Sequence, residues 1–547
     1  MAKVKDSLPL ATATDIVRRL QDAGFAAFWV GGCVRDFLLG REPGDYDIAT
    51  SALPEQIESL FKRTVAVGRK FGVMVVVEAG RQFQVATFRA EADYQDGRHP
   101  KTVTFGNAKA DALRRDFTVN GLFYDPIANK LHDWVGGEAD LVARVIRTIG
   151  SPEERFAEDH LRLLRAVRFA AQLDFQIEPQ TCAALKVNAP KIKAISAERV
   201  RDELIKLLSP QPFGVPPLAR KFHTRLEWPT ACSRNLQVAI ARWPWAARRK
   251  LKFAATACEI SGLGGGARLS SAVATPSAGR AAGGNTCAPA QPPKGGTPNG
   301  ARAARGLELL RDSGLLEQIL PELAATVTCE QSPDYHPEGT VFTHLCLMLR
   351  HLPSNADPSL PWAVLLHDVA KPVAASRDPQ TGSIHFYEHE KVGAGMAKEI
   401  LERLRFPRKQ IEDIAKAVRY HMQFKDAMQM RKSTLRRLLL RPTFPLELAL
   451  HRLDCLGSHG QLDVYDFLVE QARQLAQQPQ IRPPLVTGDD LIKLGMKPGP
   501  AMGKLLAEIR EKQLQDDLKT SAEACEWAKL QINKFGELRQ PTRRQSR

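Results

Sequence analysis

No apolar run approaching 18 residues occurs in the 547-residue chain, and a membrane-spanning helix needs about that many. The first twenty residues lack the apolar stretch and small-residue cleavage site of a secretory signal, so a cytoplasmic location without membrane association is expected. The nine cysteines are scattered and never stand as CxxC, which argues against a disulfide framework and a zinc knuckle. Aromatic residues make up only 7% of the chain. Against these absences, 44% of the residues are apolar and 25% charged, the composition of a globular protein with ample core. At about 150 residues per domain the length suggests three or four units.

A net charge of +16 points toward nucleic acid, but the charge is unevenly spread. Residues 211–304 hold 13 Lys and Arg against Glu227 and Glu259, so this segment carries +11 of the total. Its second half is rich in Gly, Ala, Pro and Ser, with no hydrophobic period from which to build a core. Helix-like sequence runs up to 198–210 and resumes at 304–323. Residues 211–303 therefore read as an insertion into a helix–helix connection, which loop entropy tolerates cheaply. A basic RNA-holding arm presenting Trp228, Trp243 and Trp245 for stacking is the alternative.

Near the N-terminus, a short apolar stretch over 25–30 predicts a buried strand. Gly31 and Gly32 follow, then a predicted helix from Cys33 to Leu39. A strand, a glycine pair and a helix start bring backbone amides close to a phosphate. Behind them stands Asp45-Tyr46-Asp47. On a strand, residues two apart share a face, so Asp45 and Asp47 can grip divalent cations together.

These segments, VGGCVRDFLLG and DYDIAT, resemble the head of the class II tRNA nucleotidyltransferases and bacterial poly(A) polymerases, members of the polymerase-β superfamily. The resemblance continues through VATFRAEADYQDGRHPKTVTF, RRDFTVNGLFYDP, DWVGGEADL, EDHLRLLRAVRFA and ISAERVRDEL, covering the first 210 residues. It implies that Asp45 and Asp47 hold catalytic Mg²⁺, that Arg35 and Asp36 support the nucleotide end of the site, and that Arg115 and Asp116 contact ribose and triphosphate. Many relatives carry a Glu as third carboxylate where this chain has Gln84, so only two ligands are expected. A polar loop between Arg89 and Lys101 matches the flexible segment that helps such enzymes move from C to A addition.

Asp159 and Arg162 stand three apart on a predicted helix, hence on one face. An intrahelical ion pair is one reading. Base chemistry offers another: cytosine and adenine each show an amino donor beside a ring-nitrogen acceptor, which a carboxylate and a guanidinium complement. Guanine and uracil show the reverse order and would leave buried groups unpaired. The resemblance assigns this selecting role to the EDxxR motif, here Glu158, Asp159 and Arg162. Arg165, one turn on, is expected to help hold the pocket.

Further along, His344, His367-Asp368 and Asp454 sit in apolar helix-like contexts, and imidazoles and carboxylates on facing helices make metal sites in all-α folds. Over about 340–460 the pattern resembles the HD metal-dependent phosphohydrolase domain. His389 and His421 match the extra histidines of two-metal members, with His385 competing for the His389 role. A divalent transition metal suits this centre. Retained phosphohydrolase activity and a worn scaffold both remain open. Residues 484–509 resemble the tRNA-contacting tail of the same family, where Gly495, Gly499 and Gly503 would let amides approach RNA phosphates. An ordinary helix hairpin is the other reading.

The expected fold is α+β and multidomain. A polymerase-β-type nucleotidyltransferase head (1–150) precedes a helical neck with the base-selecting motif (151–210), the basic insertion (211–303), a helical body with the HD domain (304–480) and a helical tail (481–547). The expected function is template-independent addition of CMP and AMP, from CTP and ATP, to the 3′ end of tRNA, with a phosphohydrolase as an open addition. Poly(A) polymerase on the same scaffold is the first alternative. An HD-domain RNA phosphohydrolase with a non-catalytic RNA-binding head is the second.

Overall fold

A computed structural model of the chain describes residues 8–90, 105–209, 298–333, 336–477 and 484–537. Residues 210–297, with the three tryptophans and most of the glycine-rich stretch, most of the 89–101 loop and the basic C-terminal residues lie outside the described residues.

Seven strands form one mixed sheet: β1 (Ala27–Val30), β2 (Asp47–Thr50), β3 (Thr64–Gly68), β4 (Val73–Glu78), β5 (Arg81–Thr87), β6 (Phe123–Asp125) and β7 (Lys130–His132). Their order is β3-β4-β5-β2-β1-β6-β7. Only the β2–β5 pair is parallel. The helix Leu8–Asp22 buries Ala13, Ile16, Val17 and Leu20, the i, i+3, i+4, i+7 stripe of an amphipathic helix. That stripe shares one core with Ile48, Met74, Val76 and Val85. A smaller cluster of Val30, Ala49, Phe88 and Phe123, with Phe28 and Trp134 packed on it, belongs to the opposite face. Alternation along β2 places Asp47 on that second face with Ala49.

After the sheet the described residues are almost wholly helical, as expected from the sequence. The helix Leu161–Leu173 buries ten of its thirteen residues, the pattern of a helix packed on several sides. Its neighbours are the helices Ala197–Leu208 and Pro298–Asp312. Gly306 permits this close crossing, since a Cβ there would lie 2.6 Å from the Leu207 side chain. The helical connection therefore resumes at Pro298, within the segment read from composition as insertion. The helices Val341–Arg350, Leu360–Leu366, His389–Arg403, Arg408–Tyr420 and Phe444–Gly457 follow and share the core of the sheet and neck. The last three helices, Gly488–Lys493, Pro500–Leu514 and Ser521–Glu537, enclose a core of their own. Ion pairs from Lys432 and Arg436 to Asp516 and from Arg437 to Glu511 fasten them to the helix Lys432–Leu439. Among the described residues no helix is long and apolar enough to cross a membrane.

Candidate active site and metal centre

The glycine pair closes β1 and opens the helix Gly32–Leu38. Gly31 has φ +73°, a left-handed conformation, and a Cβ there would stand 2.8 Å from Arg115 Nη1. Its N–H donates to the Leu122 carbonyl, 3.2 Å away. Glycine is thus required on two counts, backbone conformation and close approach of a guanidinium.

Asp45 precedes β2 in a bend and is not on the strand the spacing predicted; only Asp47 is. The alternation survives because Tyr46 between them is driven inward, 2% exposed and edge-on to Trp29, while both aspartates remain exposed. Crowding by surrounding protein and the nearby Asp36 raise the Asp45 carboxyl above its usual range. Asp47 is raised by the same crowding and by Asp45, against the lowering pull of Arg115. Adjacent carboxylates that destabilise one another's charge are a donor set suited to a divalent cation. Gln84 pairs with Asp47 in the parallel β2–β5 register, so the two side chains leave the sheet on the same face.

Arg35 and Asp36 are buried and paired with one another at 2.9 Å. Arg35 Nη1 also donates to Asn120 Oδ1 at 2.6 Å. Arg115 pairs with buried Asp111 at 3.1 Å and lies over the Phe123 ring. Asp111 also accepts from Arg114 and from the Arg89 backbone. Asp116 is buried as well, accepting from Arg165 Nε at 2.8 Å and Asn120 Nδ2 at 3.2 Å. Burial alone would raise the Asp116 carboxyl, but Arg165 and these hydrogen bonds outweigh it and hold it below its usual range. The Asp116–Arg165 pair links the sheet domain to the helix that carries Arg162.

The predicted helix through Asp159 is broken at that residue. The helix Pro152–Glu158 ends there, Asp159 adopts an extended conformation (φ −147°, ψ 104°), and the next helix starts at Leu161. The reason is local, since Asp159 Oδ1 accepts from the Leu161 N–H at 3.0 Å, an aspartate competing with helix for backbone donors. Asp159 and Arg162 do not form the intrahelical pair. Asp159 Oδ2 accepts from Arg199 at 2.9 Å, whereas Arg162 pairs with Glu158 and donates to the Arg155 carbonyl. Glu158 is itself gripped by Arg155 at 2.9 Å. Asp111, Asn120, Arg155 and Arg199 are site residues the motif reading did not single out. Asn120 and Arg199 lie inside the quoted RRDFTVN and ISAERVRDEL segments, but their roles depend on partners 4 to 85 residues away.

In the second half of the chain, His344, His367, Asp368, His389 and His421 are all buried. His367 Nδ1 faces the Val364 carbonyl at 2.9 Å, His389 Nδ1 that of Phe386 at 2.8 Å, and His421 Nδ1 that of Val418 at 2.7 Å. A carbonyl only accepts, so each Nδ1 carries the proton, and in the neutral ring each Nε2 keeps its lone pair. These Nε2 atoms converge on Asp368, at 3.1 Å from His367, 3.3 Å from His389 and 3.7 Å from His421. His389 and His421 Nε2 stand 3.3 Å apart, an arrangement of facing lone pairs that a cation relieves. His344 Nε2 approaches Asp454 Oδ1 at 3.1 Å, and His344, His367 and Asp368 cluster tightly enough to share an ion. Burial, and then His367, push the His421 imidazole down to about 4, which keeps it neutral as a ligand must be. His385 is exposed and stacks on Tyr387, so His389 occupies the position the two competed for. Lys371, which follows the His-Asp dipeptide, is bound to Asp368 at 2.7 Å and to Gln331 at 2.6 Å.

Gly495 closes the helix Gly488–Lys493 at φ +90°, Gly499 precedes the helix Pro500–Leu514, and Gly503 lies within it. A Cβ at any of the three would meet open space.

Comparison with known proteins agrees with this geometry. Residues 27–147 match the poly A polymerase head domain, 174–212 the probable RNA and SrmB-binding site of polymerase A, and 335–456 the HD domain. The chain is 42% identical over 252 residues to the CCA-adding enzyme of Geobacillus stearothermophilus, covering 45% of this chain and 62% of that one. It is 47% identical over 197 residues to the CCA-adding enzyme of Staphylococcus aureus strain MRSA252, covering 36% and 49%. The chain therefore spans less than two thirds of the length of the curated relatives it matches. Its fold is that of the CCA-adding enzyme of Bacillus stearothermophilus in complex with CTP (TM-score 0.61, 23% identity, 97% of this chain and 99% of that one). The Thermotoga maritima CCA-adding enzyme complexed with tRNA shares it too (TM-score 0.52, 18% identity, 97% of each chain). The chain thus carries a poly A polymerase head domain, a probable polymerase A RNA-binding segment and, in its second half, an HD domain, on the fold seen in these CCA-adding enzymes.

Proposed function

We propose that this protein is a CCA-adding tRNA nucleotidyltransferase, transferring CMP and AMP from CTP and ATP to the tRNA 3′ end with release of pyrophosphate. The observation that carries the reading is one connected constellation. The Asp45/Asp47 pair stands beside Arg115 and the Gly31 turn, and Asp116–Arg165 joins this head to the helix bearing Arg162. Asp45 and Asp47 would hold Mg²⁺, which when bound neutralises charge on the transferring phosphoryl group and the attacking oxygen. Positioning does the rest, since phosphoryl transfer asks little covalent chemistry of the protein. Arg115, clamped by Asp111, faces the triphosphate across the glycine turn; Arg35 and Asp36 brace that turn from below through Asn120. The Asp159 carboxylate accepts from the amino group of cytosine or adenine while Arg162 donates to the ring nitrogen, with Glu158 and Arg199 holding the two in place.

The division into head (1–150), neck (151–210), insertion (211–303, its last residues already part of the helix Pro298–Asp312), body (304–480) and RNA-contacting tail (481–547) belongs to this proposal. A second reading, metal-dependent phosphohydrolysis at the HD domain, is favoured by the histidine Nε2 atoms converging on Asp368. The substrates would be cyclic-phosphate or phosphomonoester ends of RNA. Two variants separate the activities. Asp45→Ala should abolish nucleotide addition and leave phosphate release intact, and Asp368→Ala should do the reverse. Addition surviving Asp45→Ala would refute the head assignment and favour an HD phosphohydrolase with a non-catalytic head.

A further inference from the structure

Four histidines line the HD centre, and three of them fix their Nδ1 proton on a backbone carbonyl. His344 is the exception. Its Nδ1 stands 2.7 Å from Glu338 Oε1, while its Nε2 faces Asp454 at 3.1 Å. Glu338 is 6% exposed at its side chain, and the same oxygen is 2.9 Å from Nδ1 of His336. The two imidazoles pack edge to face, 5.0 Å between centroids. Glu338 comes from the segment before the helix Val341–Arg350, outside the pattern of His, His-Asp and Asp that marks the domain.

We propose that Glu338 is a positioning residue for the HD metal centre, setting the tautomer and the donor strength of His344. The proposal rests on the metal-centre reading above. A carboxylate 2.7 Å from Nδ1, close but not aligned as a hydrogen bond, favours the proton on that nitrogen, which leaves Nε2 as the ligand atom and a stronger donor than a backbone carbonyl makes it. The two ring nitrogens point in diverging directions, so Glu338 does not share the ion that Nε2 approaches; it acts through His344. His336, held on the same oxygen from the solvent side, keeps the carboxylate turned toward His344. A charged partner at one histidine out of four makes the Asp454 end of the centre the one whose affinity the protein tunes.

The test is a metal titration of the full-length protein, stripped by chelation and refilled with Co²⁺, read by its visible absorption and by bound metal per chain. Glu338→Gln keeps an oxygen acceptor and removes the charge, and should weaken binding about tenfold; Glu338→Ala removes both and should weaken it about a hundredfold. Nucleotide addition by the head, unchanged in both variants, serves as the folding control. A purely structural Glu338 would lower the melting temperature of the metal-free protein and leave Co²⁺ affinity and spectrum at wild-type values, which would overturn the proposal. Failure of the wild type to bind Co²⁺ at all would contradict the metal-centre reading, and the proposal with it. A graded loss from Gln to Ala supports it.

Discussion

The Asp45 and Asp47 carboxyls are raised by surrounding protein, Asp45 also by Asp36 and Asp47 also by Asp45, and a divalent cation is what makes such a pair useful. Removing either carboxylate should cost several kcal/mol of transition-state stabilisation, about a thousandfold in rate. Asp47→Ala is therefore expected to lower nucleotide addition at least a thousandfold, with circular dichroism and melting temperature near wild type. At the selecting residues the expected effect is on choice more than on rate. Arg162→Ala removes the donor matched to cytosine and adenine, and a lost buried charged hydrogen bond is worth about 1–3 kcal/mol. The ratio of CTP to UTP incorporation should fall about ten- to a hundredfold, measured with each nucleotide alone. Most of these residues were legible in the sequence because the chemistry demands residue types at short spacing: two glycines, two aspartates two apart, a His-Asp dipeptide. What was not legible is how they are held. Arg199 reaching Asp159, Asn120 joining Arg35 to Asp116, and Glu338 behind His344 are contacts across the fold or by side-chain direction, and no periodicity encodes them.

At the scale of elements, the helix Leu161–Leu173 was visible from its apolar pattern, but its start was not. The pattern runs on through Asp159, and only the competition of an aspartate for backbone donors breaks it. Two ion pairs anchor this helix, half-buried Arg165 to Asp116 and buried Arg168 to Glu203, the latter at 2.6 Å. Burial alone would raise the Glu203 carboxyl, yet Arg168, Arg165 and Lys206 outweigh it and hold it below its ordinary value. A carboxylate depressed in the folded state stabilises the fold above its unfolded pKa, about 4.3, and that contribution is lost as pH falls through the depressed value. Glu203→Gln deprives Arg168 of its carboxylate and should cost roughly 3 kcal/mol at neutral pH. The gap in melting temperature between wild type and variant should stay constant above about pH 5 and close as the solution becomes more acid. A gap unchanged down to pH 3 would mean that shape, and not charge, holds the junction.

Across the whole molecule, sheet, neck and HD helices share one apolar core, while the tail encloses another and is tied on by surface ion pairs. Helical structure begins at Pro298, inside the segment that composition reads as insertion, because the Ala- and Gly-containing start of the helix Pro298–Asp312 carries little hydrophobic period until Leu307. Gly306 against Leu207 is the packing contact that fixes that helix on its partner, and no local pattern announces it. Replacing residues 211–297 with a short linker should therefore leave melting temperature within a few degrees of wild type and nucleotide addition intact. Loss of addition with the fold retained would instead favour an RNA-holding role for the segment.

What the head makes decides between CCA addition and poly(A) synthesis. Purified protein, Mg²⁺ and a tRNA transcript lacking its last three nucleotides are incubated with CTP, with ATP or with both, and products are resolved to single nucleotides. Two additions from CTP alone and a sharp stop at three with both nucleotides are predicted. A long ladder from ATP alone would contradict CCA addition and make this chain a poly(A) polymerase built on the same Asp45/Asp47 site.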